Sequence, residues 1–299
     1  MLKLDCPRDK DTHTVADFAE ILCWVTSDRY CSRDYLSDYI QDYSSSKLTD
    51  NELDDVFLQL SWRASAFGNA YPFSFVQKDK VLHGVDQTTD LQNLYIFLLF
   101  CANLPFLSDR KYSKGLTDAF EQLSMITMKE LWPPQATVKA FGKNATEYPG
   151  KKWERLNKLS KDIGGEANNS AADFRKNDSG DGGIDLVAWL SLDIHEHCNV
   201  PTALAQCACS RQEWVTKQLE ISNARLNRTL RPTNPWMELI FIPHSFRDSN
   251  GAWAVKSAIG LLIVMDRLRI INRVEKGVSG EFTLPAEFYS LLGTKLDLV

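Results

Sequence analysis

The chain has 299 residues, 44% of them apolar and 24% charged, with a formal net charge of -5. That length can bury one large core or two medium ones, and the composition excludes a disordered, fibrous or membrane-embedded chain. A net negative protein does not coat nucleic acid indiscriminately, so any contact with phosphate has to come from a local basic face.

At the N-terminus, "MLKLDCPRDKD" has no apolar h-region, so no export signal is expected. Helix-period apolar spacing follows in "VADFAEILCWV" (15–25) and "RDYLSDYIQDY" (33–43). The segment 44–68 opens in a Ser/Thr/Asp-rich cap region, carries Leu53, Val56, Phe57 and Leu60 on one side and ends near Gly68. "YPFSFVQKDKVLHG" (71–84) alternates and turns at Lys78-Asp79, the pattern of a small hairpin. Two longer helices are predicted over 90–103 and 115–131, closed by Pro133-Pro134. The richest apolar run, "LYIFLLFCANL", lies in the first of these; interrupted by Asn103 and stopped by Pro105, it reads as a buried helix rather than a membrane span.

The pattern changes after the prolines. "ATVKAFG" reads as a strand and "GKKWERLNKLSKDIGG" as a helix with Trp153, Leu156, Leu159 and Ile163 on one side. Strands are predicted at 184–190, 203–208, 238–243 and 261–265, with helices over 211–220 and after Asp266. Strands alternating with helices indicate an α/β unit around a mixed sheet. The division falls near Pro134, giving a mainly helical part (1–134), suited to assembly or gating, and an α/β part (135–299). The first 135 residues carry 13 Lys/Arg against 20 Asp/Glu, the rest 21 against 19. Lys139 to Lys161 holds seven basic residues and two acids, which is either a phosphate-contacting face or a solvated helix face. Seven cysteines at irregular spacing fit reduced thiols in a cytoplasm.

"NDSGDGGIDLVAWL" (177–190) passes from a polar, glycine-rich run into a strand that is apolar on both faces, with Asp185 just inside it. A carboxylate there is unfavourable by several kcal/mol unless it is paired, hydrogen-bonded or bound to metal. The competing reading is an aspartate at the strand's wet end, accepting hydrogen bonds from the turn at Gly180 to Gly183. On the next strand, "ALAQCACS", Gln206 and Ala208 share one face, while Cys207 and Cys209 take the other. Ser210 and Glu213 then stand at capping-box spacing, with Lys217 two turns into the helix they would open.

This combination of an acidic residue in a helix, an Asp entering one strand and a Gln near the end of the next resembles the PD-(D/E)xK restriction-endonuclease-like superfamily, and its Mrr-like branch in particular. "GKKWERLNKL" is similar to that branch's helix, with Trp153-Glu154 where Phe-Glu would stand; "GGIDLVAW" matches the Asp strand and "AQCA" the Gln strand. "QCACSRQEW…K" also looks like a group of bacterial proteins found in phage-defence settings. The resemblance covers about residues 135–275. It implies a mixed sheet flanked by helices and a cytoplasmic, Mg²⁺- or Mn²⁺-dependent DNA endonuclease. It implies as partners DNA and a protein such as an ATPase of the same defence system, in an oligomeric assembly with no membrane contact. Asp185 would be the central metal ligand, Glu154 and the Gln206 oxygen would complete an oxygen-rich site, and such a site suits in-line phosphodiester hydrolysis.

The departure is Ala208, where that family carries a lysine; Lys217, or second Arg211, would have to reach back in its place. Without either, the fold would be a degenerate subunit that binds nucleic acid or a partner ATPase without cleaving. Glu154 has Lys158 at i+4 and could be a surface ion pair, and Gln206 could serve only hydrogen bonding within the sheet. "NDSGDGG" opens like an EF-hand loop, but the twelfth position is Ala188. "HEHC" (195–198) with Cys207 and Cys209 fits no common zinc spacing. Asp266, Arg267 and Arg269 read as an ion-pair cluster at a helix start, and His244 as a loop histidine without an inferable partner.

Overall fold

The computed structural model describes residues 2–8, 10–44, 47–76, 80–142, 147–175, 180, 182–277 and 282–296. Caps set where the first helices begin. The Asp11 carboxylate accepts from the Thr14 amide and opens α1 (Thr12–Val25). A short strand, β1 (Tyr30–Ser32), leads into α2 (Arg33–Tyr43), capped by the Ser32 hydroxyl. Thr49 and Glu52 form a reciprocal capping box on α3 (Asp50–Phe67). β2 (Phe73–Val76) and β3 (Val81–Gly84) pair antiparallel as the expected hairpin, and β1 joins the free side of β3. The hairpin's turn at Lys78-Asp79 lies outside the described residues. A second capping box, Thr89 with Gln92, starts α4 (Asp90–Ala102), and α5 (Ser113–Lys129) follows. Every residue of α4 from Leu94 onward is buried, which is why its apolar character runs all round rather than along one stripe.

Beyond the prolines come β4 (Thr137–Ala140), α6 (Lys152–Asp162), β5 (Leu186–Trp189), β6 (Thr202–Cys207), α7 (Trp214–Lys217), α8 (Asn223–Leu230), β7 (Met237–Phe241), β8 (Ile263–Met265), α9 (Arg267–Gly277) and α10 (Ala286–Leu292). The protein is a mixed α/β structure whose larger sheet, among the described residues, runs in the order β4-β5-β6-β7-β8. Its first three strands are successively antiparallel, and β6, β7 and β8 are parallel. The helix expected over 211–220 is broken up: only Trp214–Lys217 is α-helical, and a 3₁₀ turn follows over Gln218–Ile221. The Gln218 amide explains the change. It bonds the Ala258 carbonyl (2.8 Å) and the Gly260 amide (2.9 Å), tying this stretch to a distant loop instead of letting the helix continue.

Alternation along the strands sends the two faces of the sheet to different cores. Leu186, Ala188, Ala203, Ala205, Leu239 and Phe241 pack in one cluster with α1, α4, α5 and α9, while Val187, Trp189 and Leu204 pack with Leu156, Leu159, Leu226 and Leu230 of α6 and α8. The N-terminal helices and one face of the sheet therefore share a single core. An ionic cluster pins the same seam. Asp17 and Glu20, both fully buried on α1, meet Arg63 of α3 (2.7 and 2.9 Å) and Arg267 of α9 (3.1 and 3.4 Å). Arg211 also pairs with Asp17, and the Tyr71 and Tyr95 hydroxyls each donate to Glu20 at 2.9 Å. Burial, and then the Glu20 carboxylate, push the Tyr71 phenol well above its usual range. No helix among the described residues is long and apolar enough to cross a membrane.

Candidate functional site

Gly182 and Gly183, at φ of 79° and 84°, turn the chain into β5. A Cβ at Gly183 would run into the Glu220 carboxylate, so this turn needs glycine twice over. Asp185 comes next. Its amide donates to the Ala205 carbonyl (2.9 Å), and its own carbonyl accepts from Phe141 (2.7 Å) and Gly142 (3.1 Å), fixing the residue between β4 and β6. The half-buried carboxylate accepts from the Cys207 amide through Oδ2 at 2.7 Å, while Oδ1 faces Gly142, where a Cβ would stand 3.1 Å away. The neighbouring strand thus supplies one of the bonds that hold this carboxylate. Burial, and then the Asp185 charge, raise the Cys207 thiol well above its usual range.

Gln206 is buried on β6, where it and Asp185 lie just past the last β5–β6 pair, Leu186 with Ala205. With its amide nitrogen assigned toward two acceptors, it donates to Glu220 Oε2 (3.0 Å) and to the Gly183 carbonyl. Glu220 was not singled out from the sequence; it and Gln206 together brace the glycine turn. Glu154 is exposed at the third position of α6, and its Oε2 accepts from the Lys151 amide at 2.6 Å. Its carboxylate thus caps its own helix. Lys158 does not pair with it but reaches the Glu147 carbonyl at 2.6 Å. The buried neighbour Arg155 has the closer link to Asp185, donating to the Phe141 and Gly142 carbonyls, the latter at 3.0 Å. So Asp185 and Gln206 are brought side by side, while the Glu154 carboxylate is engaged elsewhere.

Ala208 is fully buried among Trp214, Ile240, Ile242 and Val264. Lys217 lies on the other side of the strand end, in a cleft of about 430 Å³ that it shares with Arg110, Thr117, Glu121, Cys207 and Ser210. Glu121, on α5, could not be found by motif because it reaches the cleft from the helical half of the chain. Arg211 is held by Asp17 in the buried cluster. The ion-pair cluster expected from Asp266, Arg267 and Arg269 forms with other partners: Asp266 pairs with Arg247 at 2.8 Å and accepts from the backbone amide of Arg269 (3.3 Å), while fully buried Arg267 turns to Asp17, Glu20 and the Pro243 carbonyl. In "HEHC", Asp193 accepts from the His195 and Glu196 amides, and Glu196 from the His197 and Cys198 amides, so this is a self-bonded exposed loop. Residues 177–179 and 181, the start of the EF-hand-like run, lie outside the described residues, as does Lys143 of the basic run. Among the described residues no three His, Cys, Asp or Glu side chains form a group that could hold a metal ion. No family model, no curated protein and no solved structure matches the chain.

Proposed function

We propose that the protein is a metal-dependent endonuclease that hydrolyses DNA phosphodiester bonds through a restriction-endonuclease-like site, as the effector of a bacterial antiphage system. The observation that carries this reading is the Asp185 carboxylate: half-exposed at the end of a central strand, held through Oδ2 by the Cys207 amide, and so one hydrogen bond from the cleft that holds Lys217 and Glu121. Two antiparallel neighbours that bring Asp185 and Gln206 together just past the Leu186–Ala205 pair support it.

The cation this reading calls for is Mg²⁺ or Mn²⁺, and the residues fit it in part. Asp185 offers an oxygen in the right class of environment. Gln206 is committed to Glu220 and Gly183, and Glu154 would have to give up a capping bond worth about 1 kcal/mol. When bound, the cation would supply charge at the scissile phosphate. The chain's own part is to hold Asp185 rigidly through Cys207, Phe141 and Gly142, and to present the Lys217 ammonium to an incoming phosphate.

The test is nicking of supercoiled plasmid with Mg²⁺ or Mn²⁺ by wild type and Asp185→Asn. Asparagine keeps an acceptor for the Cys207 amide while removing the charge, so the fold should persist and nicking should fall at least about 100-fold. Equal nicking by the two proteins would remove Asp185 from the chemistry. Glu154 capping its own helix, and a buried alanine at 208, favour a second reading: a subunit that binds nucleic acid or an ATPase partner without cleaving. That reading expects Asp185→Asn to retain protection of cells against phage.

A further inference from the structure

We propose that the groove along the seam between the N-terminal helices and the sheet binds the phosphate backbone of a single nucleic-acid strand. The cleft beneath Cys207 does not end at Arg110. It adjoins a second recess of about 1160 Å³, and the two share Pro105, Arg110 and Ser210. Cations outnumber carboxylates in the two linings: Lys217 in the first recess, Arg110 in both, Arg8 and Arg211 in the second, against Glu121 in the first and Asp5 in the second.

The spread of the cations over two adjoining recesses distinguishes the ligand. A nucleoside polyphosphate needs cations converging on one point, whereas a strand needs them distributed along a track. Arg211 is held in place by its pairing with buried Asp17, so one contact is preorganised. Tyr43, in the lining of the second recess, is 53% exposed, its ring beside Tyr39 at a centroid distance of 4.6 Å; that leaves a face on which a base can stack. The first recess has the volume of a cavity for one small ligand, which admits a nucleotide and not a base-paired turn. The choice of nucleic acid rests on the phosphodiester reading above; the track of charge does not.

The test is fluorescence anisotropy with full-length protein and a labelled oligothymidylate of about 12 nucleotides, a length within single-strand site sizes. EDTA is present throughout, so cleavage is silent. Arg8→Glu with Arg110→Glu, both at exposed positions, should weaken binding at least tenfold and lower the slope of log affinity against log salt by roughly 1.4, or 0.7 per lost contact. Arg110→Gln alone should weaken it at least threefold, which guards against a folding defect in the double variant. A duplex containing the same strand should bind at least tenfold more weakly. Unchanged affinity in the charge variants, a duplex bound as tightly as the strand, or displacement of the strand by an equimolar nucleoside triphosphate would each overturn the proposal. Intact strand binding without nicking would instead defeat the nuclease reading alone.

Discussion

Asp185 and Glu154 are both carboxylates beside backbone donors, yet they meet different fates. Glu154 sits in the first turn of a helix, where unsatisfied amides are local, and it takes the nearest one. Asp185 sits at the end of a strand pair and takes an amide from the next strand, with its other oxygen toward Gly142. The proximity of Asp185 and Gln206 was legible from alternation and strand order. The orientation of Glu154 was not, because Lys151 is an unusual residue to precede a capping glutamate and the spacing raised no flag. His244, which offered no partner in the sequence, is buried beside the seam. Burial first, then the Arg211 and Arg267 charges, hold it well below its ordinary 6.5, so it is neutral in the folded protein. The unfolded chain takes up this proton near the ordinary value and the folded one resists it. The stability it confers is therefore complete above that value and lost as pH falls, by up to about 1.4 kcal/mol per unit. Urea denaturation at pH 7.5 and 5.5 should show a smaller loss for His244→Gln than for wild type. Equal losses would mean that this imidazole is not part of the pH response.

At the scale of elements, the strand end at β6 decides what can replace the absent lysine. The alanine at 208 does not point at the cleft with Lys217; it faces an apolar cluster. Ala208→Lys should therefore lower stability by about 3–5 kcal/mol through burial of an unpaired ammonium, and leave nicking no better than wild type. Chemical denaturation and the plasmid assay check both parts, and a stable, more active variant would put position 208 in the site after all. The long helices could be read from periodicity and the central strands β5, β6 and β7 from their apolar patterns, because each of these strands buries most of its length; β8 could be read only from the apolar run that contains it. The three-residue β1 is too short to show a period, and it exists only because β3 is there to pair with it. The groove could not be read at all. Arg8, Arg110, Glu121 and Lys217 are scattered over two hundred residues of chain, and no local pattern connects them.

For the whole molecule, the seam matters more than either half. Arg63→Met should cost about 3–5 kcal/mol, because it leaves Asp17 and Glu20 short of a buried partner, and thermal unfolding should remain a single transition as the core is shared. Residues 135–299 expressed alone would present Leu186, Ala203, Leu239 and Phe241 to water. Aggregation or strong binding of a hydrophobic dye is the expected outcome; a soluble piece with a cooperative melt would show that the shared core is dispensable. The contact between Glu20 and Arg267 spans 247 positions of sequence. During synthesis, the carboxylates of the first helix must wait for 247 further residues before their last guanidinium arrives. Until then, the helical half carries an uncovered greasy flank, so the nascent chain has a long window in which chaperone protection is most needed.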